Sequence, residues 1–256
     1  MGDYQFVKLE VMDYIATVTL DRPPVNALSM DLYRDIGSVF REISDRTDDV
    51  HVAILTGAGR CFCAGRDLKL AENDPWEKRS ALARAAYGAL YHCAVPVIAA
   101  VNGPAMGAGF VSTSFCDLII ASEKAVFALP EIDAGLNMSM AAMTRWLNTG
   151  HARKLAFTGE RVSGHELYRM GMVEKVVPHD ELMPEALKLA KVLASKSPGA
   201  LRAAKWSANE VEKLTDHEQA YRAIEARVSM ALFDTEDRRE AGKAFVEKRP
   251  PTFKGK

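Results

Sequence analysis

Polar and apolar residues alternate over 6–11 and again over 15–20, with the turn-like Met12-Asp13-Tyr14 between them, so the chain opens on a predicted β-hairpin. Asp21-Arg22-Pro23-Pro24 stops the second strand. Leu32, Ile36, Val39, Phe40 and Ile43 then recur at helical spacing behind Ser29, a suitable N-cap. A third strand is predicted over 51–56 and an Ala-rich helix over 81–93. The run 97–101 is apolar throughout and closed by Asn102-Gly103-Pro104, which predicts a buried strand ending in a turn. From residue 151 the pattern turns helical, over 152–157 and 165–170. After a short strand within 172–178, helices follow over 182–194, 199–210, 217–232 and 236–247. The shift to purely helical patterning near 196–198 divides a mixed α/β core, 1–195, from a helical region, 196–256.

The chemistry concentrates between Pro96 and Glu131. Gly107-Ala108-Gly109 stands where an apolar run reaching Phe115 begins. If that run is helical, its first N–H groups lack intrahelical partners and carry the positive end of the dipole. Glycines on either side of Ala108 let a ligand atom touch the backbone, which makes this a candidate anion or oxyanion site. Glu131 follows Phe127-Ala128-Leu129-Pro130 in an apolar neighbourhood. A carboxylate so surrounded has its pKa raised toward the range useful for proton transfer; its plain alternative is an exposed turn acid, and Asp133 is the competing carboxylate. Gly57-Ala58-Gly59 after a strand lacks the third glycine of a dinucleotide fold, since Phe62 occupies its place. Asn26-Ala27-Leu28 reads as loop packing.

A net charge of -1 over 256 residues provides no general field for nucleic acid or anionic membrane. Cys61, Cys63, Cys93 and Cys116 lack paired C-x-x-C spacing, so buried reduced thiols are expected and no metal site. The first residues carry early charges and no signal core, and no apolar run is long enough to span a bilayer; a cytoplasmic protein without a cleaved leader is expected.

The chain resembles the crotonase superfamily, also called the enoyl-CoA hydratase/isomerase family. The resemblance rests on Asp21-Arg22-Pro23 with Asn26-Ala27-Leu28, on Cys63-Ala64-Gly65-Arg66-Asp67-Leu68, on the run from Ala100 to Gly109, on Cys116-Asp117 and on Phe127-Ala128-Leu129-Pro130-Glu131. Thr158-Gly159-Glu160-Arg161, Gly171-Met172-Val173 and Phe245-Val246-Glu247-Lys248-Arg249-Pro250 complete it, in family order over nearly the whole chain. It implies an α/β fold, a crotonase-like spiral of ββα turns with a C-terminal helical region, assembled as a homotrimer or homohexamer. The implied ligand is an acyl-CoA thioester; CoA belongs to the substrate, and no separate cofactor is implied. The N–H groups of Ala64 and Ala108 are expected to hold the thioester oxygen, each worth about 3 kcal/mol of barrier as an enolate develops. Ala27, Leu28, Arg66, Asp67 and Leu68 are expected along the CoA groove, with Gly107 and Val111 completing the substrate contacts. Phe245 and Lys248, from the same or a neighbouring subunit, approach the nucleotide end.

Hydratases of this kind carry two glutamates; here Glu131 fills the second position and Val111 stands at the first. Hydration divides its proton transfers and water activation naturally between two carboxylates, whereas moving a double bond needs one base that removes and returns a proton. The expected function is therefore an acyl-CoA enzyme with Glu131 as the proton-transfer residue, favoured as an isomerase. A 2-enoyl-CoA hydratase or dehydratase, a thioester hydrolase or decarboxylase, and a non-catalytic acyl-CoA-binding protein are the alternatives.

Overall fold

The computed structural model describes residues 2–71, 75–136 and 140–255. The predicted hairpin is present as β1 (Val7–Met12) and β2 (Ile15–Leu20), antiparallel with Val7 opposite Leu20. Asp13 and Tyr14 take φ of 53° and 64°, the left-handed pair that lets a two-residue turn follow the twist of its strands. Helix α1 (Met30–Asp45) starts where the Ser29 hydroxyl accepts the Leu32 N–H at 3.2 Å, and its buried stripe is the predicted one, from Leu32 to Ile43.

Strand β3 (Val52–Gly57) lies parallel to β2. Helices α2 (Leu68–Ala71) and α3 (Trp76–Tyr91) lead to β4 (Val97–Val101), parallel to β3; α3 starts ahead of the predicted residue 81. Next come β5 (Ala105–Met106), α4 (Ala108–Ser114) and β6 (Leu118–Ser122). The apolar–polar pattern does not announce β6, because a short buried apolar run has the same look in a strand and in a helix. Strand β7 (Val126–Ala128), a 3₁₀ turn (Pro130–Ala134), α5 (Met140–Met143), α6 (Thr149–Thr158), β8 (Val162–Ser163), α7 (Gly164–Arg169), β9 (Lys175–Val177) and α8 (Leu182–Ala194) follow.

The large sheet has the order β1-β2-β3-β4-β6-β9 and is parallel after its first pair; β5, β7 and β8 form a second, smaller sheet. The chain thus winds as a spiral of strands and helices between two sheets. Val52 and Ile54 pack with Leu182, Ala186 and Ala190 of α8, while Ala53 and Leu55 pack with the α1 stripe on the other face. Covered on both faces, β3 and β4 read as continuous apolar runs.

The remaining helices are α9 (Pro198–Val211), α10 (His217–Ala220), α11 (Ala226–Phe233) and α12 (Glu236–Glu247). A π-helical turn, Tyr221–Glu225, separates α10 from α11, so the single helix predicted over 217–232 is interrupted by a wider turn that no Gly or Pro marks. Lys205 of α9 is buried against the core. Its ammonium donates to the Val95 carbonyl at 3.0 Å and to Asp117 at 2.7 Å, and Asp117 also accepts the Val97 N–H at 2.7 Å. Burying a charge this deeply requires such a set of partners, so the helical region is tied to the starts of β4 and β6. The four cysteines are buried and unpaired. Among the described residues no helix is long and apolar enough to cross a membrane.

Candidate active site

Beyond the C-terminal ends of β3 and β4, three segments lie side by side: 25–28, 63–67 and 104–108. On one side of the middle segment, Ala64 donates its N–H to the Val25 carbonyl at 3.0 Å, Leu28 donates to Gly65 at 2.7 Å, and Asp67 donates to Leu28 at 3.0 Å. On the other side, Cys63 donates to Pro104 at 3.1 Å and Met106 donates to Cys63 at 2.9 Å. Asn26, with φ 54° and 2% exposure, staples the arrangement. Its side-chain amide donates to the carbonyls of Ala58, Cys61 and Phe62, and its oxygen accepts the Arg22 N–H at 3.0 Å. The loop position that reads as packing in the sequence therefore holds the turn after β3 in place.

These bonds correct the expected role of Ala64. Its N–H is committed to Val25 and cannot also hold a thioester oxygen. The Arg66 N–H is oriented differently. In the parallel bridge between Leu28 and Arg66, the bonds to Leu28 are made by its neighbours Gly65 and Asp67, so alternation turns the Arg66 N–H away from Leu28, toward 105–108. Among the described residues that N–H meets no acceptor. The two segments touch at Gly65, whose φ is 85°. A β-carbon there would stand 2.6 Å from the Met106 carbonyl oxygen and 3.6 Å from the Ala108 nitrogen, so only glycine fits.

Ala108 opens α4 behind Gly107, which has φ 51° and donates its N–H to Ala128 at 2.8 Å. Gly107 is required for a second reason: a β-carbon on it would collide with the carboxylate of Glu131. Glu131 sits on the 3₁₀ turn, half-buried, with Oε2 buried and without a hydrogen-bond partner among the described residues. Burial pushes its pKa above the usual carboxylate value; its own N–H, the Ala108 N–H and the Arg66 guanidinium pull the other way without cancelling the rise. Asp133, the competing carboxylate, is exposed and turned toward Gly159.

Val111, 3% exposed, occupies α4 one turn after Gly107. The hydroxyls of its helix are spent on carbonyls of the same helix: Ser112 on Ala108, Thr113 on Phe110, Ser114 on Val111. A second polar feature, invisible in the sequence, comes from packing α1 against α3. The hydroxyls of Tyr33 and Tyr87 meet at 3.4 Å, and Tyr87 donates to the Ala108 carbonyl at 3.3 Å. Burial pushes the Tyr33 phenol up to about 12, and the Cys63 thiol likewise to about 12, so both are neutral.

Of the expected groove residues, Leu28 is buried and paired with Arg66, Ala27 is half-buried with its carbonyl held by Arg22 at 2.9 Å, and Asp67 is ion-paired with Arg22 at 2.8 Å. Leu68 is exposed at the start of α2. Phe245 is 86% exposed, and Lys248 ends α12 in the left-handed conformation. Through Ala241 and residues 250–255 this part of the chain borders a cavity of about 960 Å³ with Tyr14 and His51, at the N-terminal ends of β2 and β3. Within one chain, Phe245 and Lys248 are therefore not brought to Glu131. Among the described residues no group of three or more His, Cys, Asp or Glu side chains could hold a metal ion.

A model described as enoyl-CoA hydratase/isomerase matches residues 10–256. The chain is 37% identical over 259 residues to (E)-benzylidenesuccinyl-CoA hydratase of Thauera aromatica, covering 97% of this chain and 99% of that one. It is 34% identical to crotonyl-CoA hydratase of Syntrophomonas wolfei, with 98% of each chain covered. The crystal structure of an enoyl-CoA hydratase from Bacillus anthracis superimposes with a TM-score of 0.94 at 31% identity, covering 98% of this chain and 100% of the other.

Proposed function

The chain belongs to the enoyl-CoA hydratase/isomerase family, and on the geometry of its site we propose that it moves a double bond in an acyl-CoA, with Glu131 as the single proton-transfer group. The observation that carries this reading is one half-buried carboxylate, Glu131, set against Gly107 with its Oε2 unpartnered among the described residues, and apolar Val111 where a second carboxylate would stand. A 3-enoyl-CoA enters with its thioester oxygen between the N–H groups of Arg66 and Ala108. The Glu131 carboxylate takes a proton from C2; the electron pair spreads through the double bond onto the thioester oxygen, where the two donors meet it. The protonated Glu131 returns the proton to C4, and the 2-enoyl-CoA leaves with the enzyme restored. One group serves as base and then as acid, which its raised pKa suits.

Hydration of a 2-enoyl-CoA is the second reading, favoured by the word hydratase in the names of the relatives. It needs a group other than residue 111 to orient water. In either case the role proposed for Phe245, which is exposed and remote from its own Glu131, is to approach the nucleotide end of CoA bound by another subunit of a trimer or hexamer. The test is mass spectrometry of 2-enoyl- and 3-enoyl-CoAs incubated with the protein in deuterated water. Double-bond migration with deuterium gain and no added water is expected. Rapid addition of water would overturn the preference, and an inert panel would overturn both readings.

A further inference from the structure

The cavity of about 960 Å³ at the N-terminal ends of β2 and β3 is separated from the Glu131 site by the length of β3, roughly 17 Å at about 3.3 Å per residue. Its walls are tied together by hydrogen bonds. Asp237 of α12, 3% exposed, accepts the N–H groups of Lys254 and Gly255 at 2.7 and 3.0 Å and the Ser197 hydroxyl at 3.1 Å. Glu240 accepts two bonds from the Arg249 guanidinium, at 2.6 and 2.9 Å, and the Thr252 N–H at 2.9 Å. Residues 252–255 are thereby strapped back against the start of α9, so the cavity has fixed walls.

Two features of its lining point to a ligand. Arg202 of α9 and Lys196 border the cavity and make no hydrogen bond, ion pair or ring contact among the described residues, whereas Lys254 is drawn toward Glu236 at 3.4 Å. Tyr14, also in the lining, lies on the His51 ring with centroids 4.5 Å apart and planes 10° from parallel. One face of Tyr14 is thus taken, yet the residue is 53% exposed, which leaves the other face open. Burial pushes the His51 pKa down, so the ring beneath Tyr14 is a neutral stacking surface.

We propose that this cavity is a second binding site, for a nucleotide, with the phosphate on Arg202 and Lys196 and the base on the open face of Tyr14. A phosphate monoester carries about two negative charges at neutral pH, the complement of two unspent cations, and a guanidinium meets its oxygens with a planar fork. An aromatic face stacks any of the bases. Asp48, the one acid among the described lining residues, is exposed, and a carboxylate accepts hydrogen bonds from hydroxyls such as those of a ribose. The volume falls within the range of about 300–1,000 Å³ usual for small-molecule sites, which decides against a macromolecule. The site is separate from the acyl-CoA groove, and the proposal is independent of the reaction at Glu131.

The test is calorimetric titration of the full chain with the monophosphates of adenosine, guanosine, cytidine and uridine, in wild type, Arg202→Met, Arg202→Lys and Tyr14→Asn. Asparagine suits the left-handed backbone at residue 14. At least one nucleotide is expected to bind wild type, with its nucleoside and ribose 5-phosphate each weaker by at least about tenfold. Arg202→Met is expected to weaken that nucleotide by at least about tenfold and Tyr14→Asn by at least about fivefold, with Arg202→Lys, which keeps the charge without the fork, between wild type and Arg202→Met. In all three variants the Kd for a saturated acyl-CoA is expected to stay within about twofold of wild type, which separates this cavity from the groove at Glu131. Four results would each overturn the proposal: no nucleotide bound at millimolar concentration, a Kd unaltered in Arg202→Met or Tyr14→Asn, ribose 5-phosphate as tight as the nucleotide, or a parallel loss of acyl-CoA binding.

Discussion

The Ala64 N–H is bonded to the Val25 carbonyl at 3.0 Å, so of the amides of Ala64 and Arg66 in the turn after β3 it is the Ala64 one that is already taken. Replacing the amide by an ester at residue 66 removes the N–H assigned to the thioester oxygen and is expected to lower kcat by about 10²–10³-fold. The same replacement at residue 64 is expected to cost about 1 kcal/mol of stability and leave kcat within a few-fold. Single-turnover kinetics and thermal unfolding of the two semisynthetic proteins check this; the opposite pattern would return the role to Ala64.

Glu131→Gln keeps the shape of the side chain and removes the base. Turnover is expected to fall by about 10²–10⁴-fold, with the Kd for a saturated acyl-CoA changed less than about threefold. Loss of binding in step with turnover would make Glu131 a structural residue.

The raised pKa of Glu131 fixes the sign of two pH effects. The base form is the active one, so kcat/KM rises with pH, on a limb above the ordinary carboxylate range. Because Arg66 favours the anion, Arg66→Met shifts that limb to higher pH. For stability the sign is opposite: the folded state holds the proton more tightly than the unfolded chain, so the stabilising contribution is present at low pH and lost as pH rises through the raised value. Glu131→Gln is accordingly expected to unfold at a higher temperature than wild type at neutral pH, with the gap closing toward acid.

Gly107 leaves room for the Glu131 carboxylate in a backbone conformation that side chains rarely adopt. Gly107→Ala is expected to destabilise the fold by about 1–3 kcal/mol and to lower kcat more than KM, because it displaces the base instead of the thioester. Parallel measurement of unfolding and of both kinetic constants separates the two effects.

Asn26→Ala removes a buried amide that serves three carbonyls and one N–H, from a position with positive φ. A loss of about 2–4 kcal/mol is expected, read by denaturant unfolding, since the carbonyls of Cys61 and Phe62 are left without that donor.

Much of this was legible from periodicity. The hairpin, α1 behind Ser29, β4 and the span of α12 follow from side-chain pattern alone, because their burial is decided within each segment. Glu131 was legible through its apolar flanks, and the family through motifs spread along the chain. What escaped depends on partners far away in sequence. The direction of an amide in 63–67 is set by 25–28, so nothing within Cys63-Ala64-Gly65-Arg66 distinguishes Ala64 from Arg66 as donor. Tyr33 and Tyr87 meet only because α1 lies on α3, and the reach of Asn26 to Ala58, Cys61 and Phe62 exists only once the turn has closed.

On the proposed reading the donors for the thioester oxygen are main-chain amides, held by the bridge at Leu28 and the turn at Gly107, and main-chain amides are not altered when a codon changes. The part of the site that manages charge is thereby inherited intact through most substitutions. Descent can alter Arg66, Tyr87, Val111 or Glu131 one at a time and meet the same enolate-stabilising frame after each step. A lineage built this way diversifies in what it does to an acyl-CoA long before it loses the ability to act on one.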